Sequence, residues 1–253
     1  MSDLVISFVV PAFNEEALIA SCLAAIRAEV ARTGCAAEII VVDNNSSDGT
    51  RRIASSIPGV VVVDEPQRGL VQARRTGCAA ARGRLIANID ADTILPEGWL
   101  RTALDEFSRS TQLVALSGPY IYYDLPRSAQ FVAAMFYRIA FATYLLVRFV
   151  LGAGSMIQGG NFIISKRALE AAGGFNSNFR FYGEDTELAR RLSKVGPVKF
   201  SLRLPAYSSG RRFVAEGLIR AGLRYAVNYV WTILFKQPFT ITWSDFRHPR
   251  EVR

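Results

Sequence analysis

Two aspartates one residue apart, Asp90 and Asp92, end an apolar run in the stretch 85–96, LIANIDADTILP. Like charges beside a buried strand repel unless a cation offsets them, and carboxylate oxygens suit a hard ion such as Mg²⁺ or Mn²⁺. Residues two apart on an extended segment point the same way, which would let both carboxylates converge on it. Such an ion completes its shell with water and substrate phosphates, so a phosphate ester is implied. The plainer alternative is a cap on the helix that follows. A second acidic pair, Glu184 and Asp185, follows Gly183 in FYGEDTELARR. At a helix amino terminus these groups either stabilise the helix dipole or act as general base toward a hydroxyl nucleophile.

Several chemistries are excluded by what the chain lacks. No GxGxxG follows the first apolar run and no GxxxxGK[ST] occurs, against a dinucleotide dehydrogenase and a phosphate-loop NTPase. There is no GxSxG, and the single histidine, His248, lies near the end, so histidine chemistry is not expected. Cys22, Cys35 and Cys78 are odd in number and have no metal-ligand spacing, which fits a reducing cytosol rather than a disulfide framework. The first apolar run has no basic segment before it and is interrupted by Pro11 and Asn14, so it reads as a strand rather than a signal sequence.

The elements that must position these acids follow from hydrophobic spacing. Apolar runs at 4–10, 38–43, 60–64 and 84–90 alternate with helical patterns at 15–33, 48–57 and 70–82, the first and last stopped by Gly34 and Gly83. Near-continuous apolar strands alternating with helices predict an α/β fold, a parallel sheet covered on both faces. Pro96 opens a further helix, and LVALSG at 113–118 supplies another strand. In such a sheet ligands bind beyond the carboxyl ends of the strands. The segments there are PAFNEE, DNNSSDGT, DEPQRG and DAD, and Asp43, Asp64 and Asp90 end three of the four strands. Helix capping accounts for Glu15, Ser46 or Asp48 singly but poorly for the whole set.

Beyond residue 120 two helical stretches stand out. Residues 127–151 are apolar except chiefly for Arg138 and Arg148, each of which would cost about 2.5–3.5 kcal/mol at mid-membrane, so packing on protein or at an interface is favoured over spanning. Residues 213–236 carry Glu216, Arg220, Arg224, Asn228, Thr232 and Lys236 at fourfold spacing, one narrow polar stripe on an apolar helix. Such a helix must hide its apolar surface in the core, in a homodimer, or in a membrane surface with Tyr225, Tyr229 and Trp231 as interfacial aromatics. The net charge of +8 is concentrated at the end: residues 203–253 hold 9 Lys/Arg and 3 Asp/Glu, against 21 and 19 before them. That tail suits an anionic membrane surface or phosphorylated substrate, or is simply a solvated helix; a nucleic-acid partner is not expected.

PAFNEE, VVDNNSSDGT, NIDADT, and GGF followed by GEDTELARR occur in the order and at the approximate spacing found in family 2 glycosyltransferases, which residues 4–200 resemble. The resemblance implies a GT-A type, Rossmann-like, mostly parallel sheet flanked by helices, followed by a C-terminal amphipathic helical extension. It implies a catalytic domain at 1–205, with a nucleotide-binding half at 1–118 and an acceptor-binding half at 119–205, and a basic tail at 206–253. It further implies an inverting transfer from a UDP- or GDP-type sugar to a glycan or lipid-linked acceptor, with Asp185 as base beside Glu184. Pro11, Phe13 and Asp43 would meet the nucleoside, and Arg68 and Arg74 the nucleotide or diphosphate. Ala12, Glu15, Asn44, Ala91, Gly160 and Asn161 complete the expected donor site. Asp92, helped by Asp90, would hold Mg²⁺ or Mn²⁺.

Asn44 departs from a second aspartate common in the family, and the missing QxxRW predicts transfer of a single sugar. Arg211 or Arg212 would cover the diphosphate or merely begin a basic helix. A cytoplasmic location, on the inner membrane face, follows from this reading. A sugar-phosphate nucleotidyltransferase would need a glycine-rich basic loop where PAFNEE stands, and retention of both acidic pairs disfavours a non-catalytic nucleotide-sugar-binding protein.

Overall fold

The computed structural model describes residues 4–149, 156–179, 182–237 and 239–240. His248 and most of the basic end of the tail lie outside the described residues. The chain begins β1 (Ile6–Ala12), α1 (Ile19–Thr33), β2 (Ala37–Asp43), α2 (Thr50–Ser56), β3 (Val60–Asp64), α3 (Leu70–Ala80) and β4 (Leu85–Ile89), the alternation expected. There follow β5 (Thr93–Ile94), α4 (Trp99–Arg109), β6 (Ala115–Ser117), β7 (Tyr120–Tyr122), α5 (Arg127–Phe149), β8 (Asn161–Ser165) and α6 (Lys166–Ala171). The chain continues with α7 (Glu184–Leu192), β9 (Val198–Phe200), β10 (Ala206–Ser208), α8 (Arg211–Glu216) and α9 (Leu218–Phe235).

Among the described residues seven strands form one sheet in the order β3-β2-β1-β4-β8-β6-β9. The first four run parallel; β8 runs antiparallel to β4 and β6, and β6 is parallel to β9. Both faces are covered, which is why the strands read as continuous apolar runs. Ile6, Phe8 and Val10 of β1 pack with Ile19, Leu23 and Ile26 of α1 and Leu100 of α4. On the other face Val9, Ile40 and Val42 meet Val71 of α3 and Leu188 and Leu192 of α7. Strand order reverses at β1 and β4, so a crevice opens beyond their carboxyl ends.

Local chemistry moves several element ends. Helix α1 starts at Ile19, not 15, because Asn14 is left-handed (φ 51°) and the Glu15 N–H is held by Thr50 Oγ1 at 2.7 Å. Helix α4 lacks a cap of its own; buried Glu29 accepts from the N–H groups of Gly98 and Leu100 at 3.2 and 2.9 Å. Residues 206–208, expected in the tail, form β10 between β5 and β7 in a second, three-stranded sheet.

The polar-striped segment is two helices, broken at Gly217 (φ 83°, ψ 137°). The middle of its stripe turns inward: Asn228 and Thr232 are buried, while Arg220 and Lys236 at its ends are exposed, as are Ile219, Leu223, Val227, Trp231 and Phe235. Helix α5 buries Ala133, Tyr137 and Tyr144 and exposes Phe131, Met135, Phe136 and Ile139. No helix among the described residues is long and apolar enough to cross a membrane.

Candidate active site

The turn after β4 carries the paired aspartates. The expected extended segment is instead a tight turn, with the Thr93 N–H donating to the Asp90 carbonyl at 2.9 Å. The two carboxylates consequently meet different partners. Asp90 Oδ1 accepts from Arg74 Nη2 at 3.1 Å and Oδ2 from the Tyr120 hydroxyl at 3.3 Å. Asp92 Oδ2 accepts from Arg211 Nη2 at 3.1 Å, and the same nitrogen is bonded to Glu15 Oε1. Ala91 between them is buried.

Arg74, expected at the nucleotide, is wholly buried beneath this turn. Its Nη1 is paired with Glu184 Oε1, so one guanidinium joins the DAD turn to the acidic pair at the start of α7. Glu184 and Asp90 hold Arg74 charged against its burial. Burial pushes the Glu184 carboxyl up to about 7 against the pull of Arg74, with Asp185 and Asp90 adding to the rise. Burial thus outweighs the Arg74 guanidinium, and Glu184 gains affinity for a proton.

Asp185 sits in the first turn of α7. Its Oδ1 accepts from the Thr186 N–H at 2.7 Å and its Oδ2 from the Gly159 N–H at 3.2 Å. Burial raises its pKa despite these bonds and Arg74. Gly160, with φ 81°, needs to be glycine: a Cβ would lie 2.1 Å from the Asp90 carboxyl carbon. Gly183, with φ 77°, is equally confined, since a Cβ there would lie 2.4 Å from Thr232 Oγ1 of α9.

The expected nucleoside residues collect at the ends of β1 and β2. Pro11 and Ala12 are buried in β1, and Arg68 lies over the Phe13 ring at 4.4 Å. Asp43 is nearly buried; its Oδ1 accepts from the Ser46 N–H at 3.3 Å, and Arg51 lies 3.9 Å from its Oδ2 while pairing with Asp64. Two residues in the expected donor set have their side chains turned to structural work. Asn44 donates to the carbonyls of Glu65 and Gln67 at 3.0 and 2.8 Å and accepts from the Gly69 N–H at 2.8 Å. An aspartate would supply no donor there, which accounts for the departure from the family pattern. Asn161 is fully buried, accepting from the Trp99 indole and donating to the carbonyls of Gly118, Pro119 and Leu204.

Tyr120, Asn14 and Trp99 also hold the site together. Tyr120 also donates to the Gly159 carbonyl at 2.8 Å, and Asn14 accepts from the Ser47 N–H at 2.8 Å to tie the first two strand-end loops together. No spacing marks them, because their partners are remote in sequence.

Among the described residues no group of three or more His, Cys, Asp and Glu forms a ready-made cation cage. The donor set nonetheless suits a divalent ion bound partly by substrate, which needs one or two carboxylates. Asp92 and Glu15 already converge on a positive group, Arg211. Burial, and then the charges of Asp92 and Asp90, push the Cys22 thiol far up, a sign of the negative potential around the turn.

The sequence model described as glycosyl transferase family 2 matches residues 7–173. The chain is 30% identical over 108 residues to glycosyltransferase AglE of Haloferax volcanii, covering 41% of this chain and 35% of that protein. It is 36% identical over 109 residues to the uncharacterized glycosyltransferase Rv0539 of Mycobacterium tuberculosis, covering 43% and 46%. It thus spans less than half the length of these relatives. Mannosyltransferase PcManGT from Pyrobaculum calidifontis, solved with GDP-Man and Mn²⁺, matches with a TM-score of 0.62 at 22% identity, covering 88% of this chain and 64% of that one. Glucosyl-3-phosphoglycerate synthase from Mycobacterium tuberculosis, solved with Mn²⁺ and UDP-Glc, matches with a TM-score of 0.61 at 20% identity, covering 90% and 78%. These likenesses are of fold, and the expected GT-A type architecture is the one observed.

Proposed function

Because the chain belongs to glycosyl transferase family 2, we propose that it transfers a single sugar, with inversion, from a UDP- or GDP-type donor to an acceptor hydroxyl or phosphate of a cell-envelope or lipid-linked glycan. One observation carries the reading: Asp185 is fixed by two backbone N–H groups, and its neighbour Glu184 is joined through Arg74 to the DAD turn. A fixed carboxylate with a raised pKa is suited to take a proton from an acceptor hydroxyl. The donor names in the two solved structures, UDP-Glc and GDP-Man, support a nucleotide sugar as the other substrate.

In this reading the nucleoside lies against Phe13 and Arg68 near Asp43. Asp185 receives the proton as the acceptor oxygen attacks the anomeric carbon on the face opposite the departing diphosphate. Asp92 and Asp90 would hold Mg²⁺ or Mn²⁺, which when bound supplies positive charge to the leaving diphosphate. Arg211 moves from the carboxylates toward the same oxygens, and Glu184 with Arg74 keeps Asp90 and the α7 amino terminus in place.

The test is Asp185→Asn. Transfer is expected to fall at least a thousandfold, while the thermal stabilisation by UDP or GDP with Mn²⁺ stays that of the wild type. A purified variant that transfers sugar at the wild-type rate would refute the assignment.

A further inference from the structure

Among the described residues, helices α5 and α9 carry apolar side chains that stay exposed. On α9 the exposed residues recur every fourth position, Ile219, Leu223, Val227, Trp231 and Phe235, with Ile219 77% exposed. On α5, Phe131 and Ile139 are each 63% exposed. Patches of this kind on two helices mark an interaction surface rather than scattered apolar residues.

A chain of aromatic contacts joins the two helices near Asp185. The Tyr137 hydroxyl of α5 is 3.3 Å from that of Tyr122, whose ring packs edge-on against Phe213 at 4.7 Å. Phe213 lies 6.5 Å from Tyr225 of α9, and Tyr225 lies 5.8 Å from Tyr182, three residues before Asp185. At the other end Tyr137 donates to Gln158, next to the Gly159 that holds Asp185. An aromatic belt therefore runs from one exposed helix to the other past the base. The phenols of Tyr137 and Tyr229 are raised by burial first, with Asp185 adding to each.

Charge identifies the occupant. Neither 127–149 nor 218–235 contains an acidic residue, and Arg127, Arg138 and Arg220 are exposed on them. A two-fold dimer pairs a patch with its own copy, which would bring these arginines together without a carboxylate between them. An anionic lipid leaflet complements them and accepts helices lying in its plane. We propose that α5 and α9 seat the protein on an anionic membrane surface and that the aromatic belt between them admits an acceptor carried on a lipid chain. The acceptor half rests on the reading of Asp185 as base; the surface half does not.

The experiment floats the full chain with vesicles of equal parts phosphatidylglycerol and phosphatidylcholine, and with phosphatidylcholine alone. Wild type should bind the anionic vesicles at low salt and weaken as salt rises. Ile139→Glu and Leu223→Glu should each reduce partitioning about tenfold or more, with unfolding temperature and basal donor hydrolysis unchanged. A long-chain alkyl phosphate or long-chain alcohol in the anionic vesicles should accelerate donor consumption by wild type, and a short-chain soluble counterpart should not. The two glutamate variants should lose that stimulation. Absence of wild-type binding at low salt, equal binding by the variants, or a solution dimer that Leu223→Glu converts to monomer without affecting vesicles would overturn the surface. Equal stimulation by the short-chain compound would overturn the lipid acceptor. Full turnover by Asp185→Asn would instead sink the catalytic reading and leave vesicle binding untouched.

Discussion

Replacing Arg74 with methionine probes the electrostatic centre of the site. The Arg74 side chain is 0% exposed and that of its partner Glu184 5%, and Glu184 Oε2 finds no hydrogen-bond partner among the described residues. Removing one member of a buried pair typically costs about 3–5 kcal/mol because the other charge is left unpaired. Asp90, with a side chain 33% exposed, adds little to this because water screens it. In a chain of this size each kcal/mol moves Tm by about 2–4 °C, so Arg74→Met should lower Tm by roughly 6–20 °C near pH 8.

The loss should depend on pH in a definite direction. Burial raises the Glu184 carboxyl from 4.5 to about 7 in the native state, so the folded chain holds that proton more tightly than the unfolded chain. Its contribution to stability is therefore fully present below about 4.5 and is lost as pH rises through about 7. Without Arg74, which pulls this pKa down, the loss with rising pH becomes larger and extends further. Calorimetry across pH should show wild type and variant close near pH 5 and furthest apart above pH 7. Adding Glu184→Gln to Arg74→Met removes the orphaned charge and should restore much of the Tm at pH 8. If the single variant lost as much at pH 5 as at pH 8, or the double variant were no more stable than the single, charge compensation would not be the role of Arg74.

Gly160→Ala places a methyl group 2.1 Å from the Asp90 carboxyl carbon at a left-handed position; a loss of about 2–5 kcal/mol in urea unfolding is expected, and a neutral result would mean the loop is not confined. Asn44→Asp loses two amide hydrogen bonds and turns a carboxylate toward the carbonyls of Glu65 and Gln67. It should cost about 2–4 kcal/mol by the same measurement, with Asn44→Ala less harmful. Arg211→Ala removes the positive charge that competes for Asp92 and Glu15, so Mn²⁺ without nucleotide should bind on the order of tenfold more tightly, read from the free-ion EPR signal. Weaker Mn²⁺ binding by that variant would show that Arg211 does not compete for these carboxylates.

Strands β1, β2 and β4 were legible because burial on both faces leaves a long apolar run between helices, and edge strand β3, with Val61 exposed, still reads as a β-branched run. Strands β5, β7 and β10 are two or three residues long, too short for any period, and their positions depend on one another across the chain. The site shows the same division. Asp90, Asp92, Glu184 and Asp185 stand out as paired acids at the ends of expected elements. Their partners do not: Arg74 lies 110 residues from Glu184 and Arg211 lies 119 from Asp92. Nothing in either arginine's neighbours tells a buried counter-charge from a ligand for diphosphate.

Helix α9 extends the point. The fourfold stripe marked it as amphipathic, and the usual inference turns the apolar side inward. Here Gly183 admits Thr232 at a distance no larger residue would allow, while Asn228 exchanges hydrogen bonds with Thr240, both to its side chain and from its backbone N–H. The Thr232 contact holds the middle of the stripe against the start of α7, the Asn228 bonds hold it against the segment after α9, and the apolar side faces outward. The glycine before α7 thus meets α9 directly, which couples the position of Asp185 to that of the exposed apolar surface. A larger residue at 183 would disturb both together.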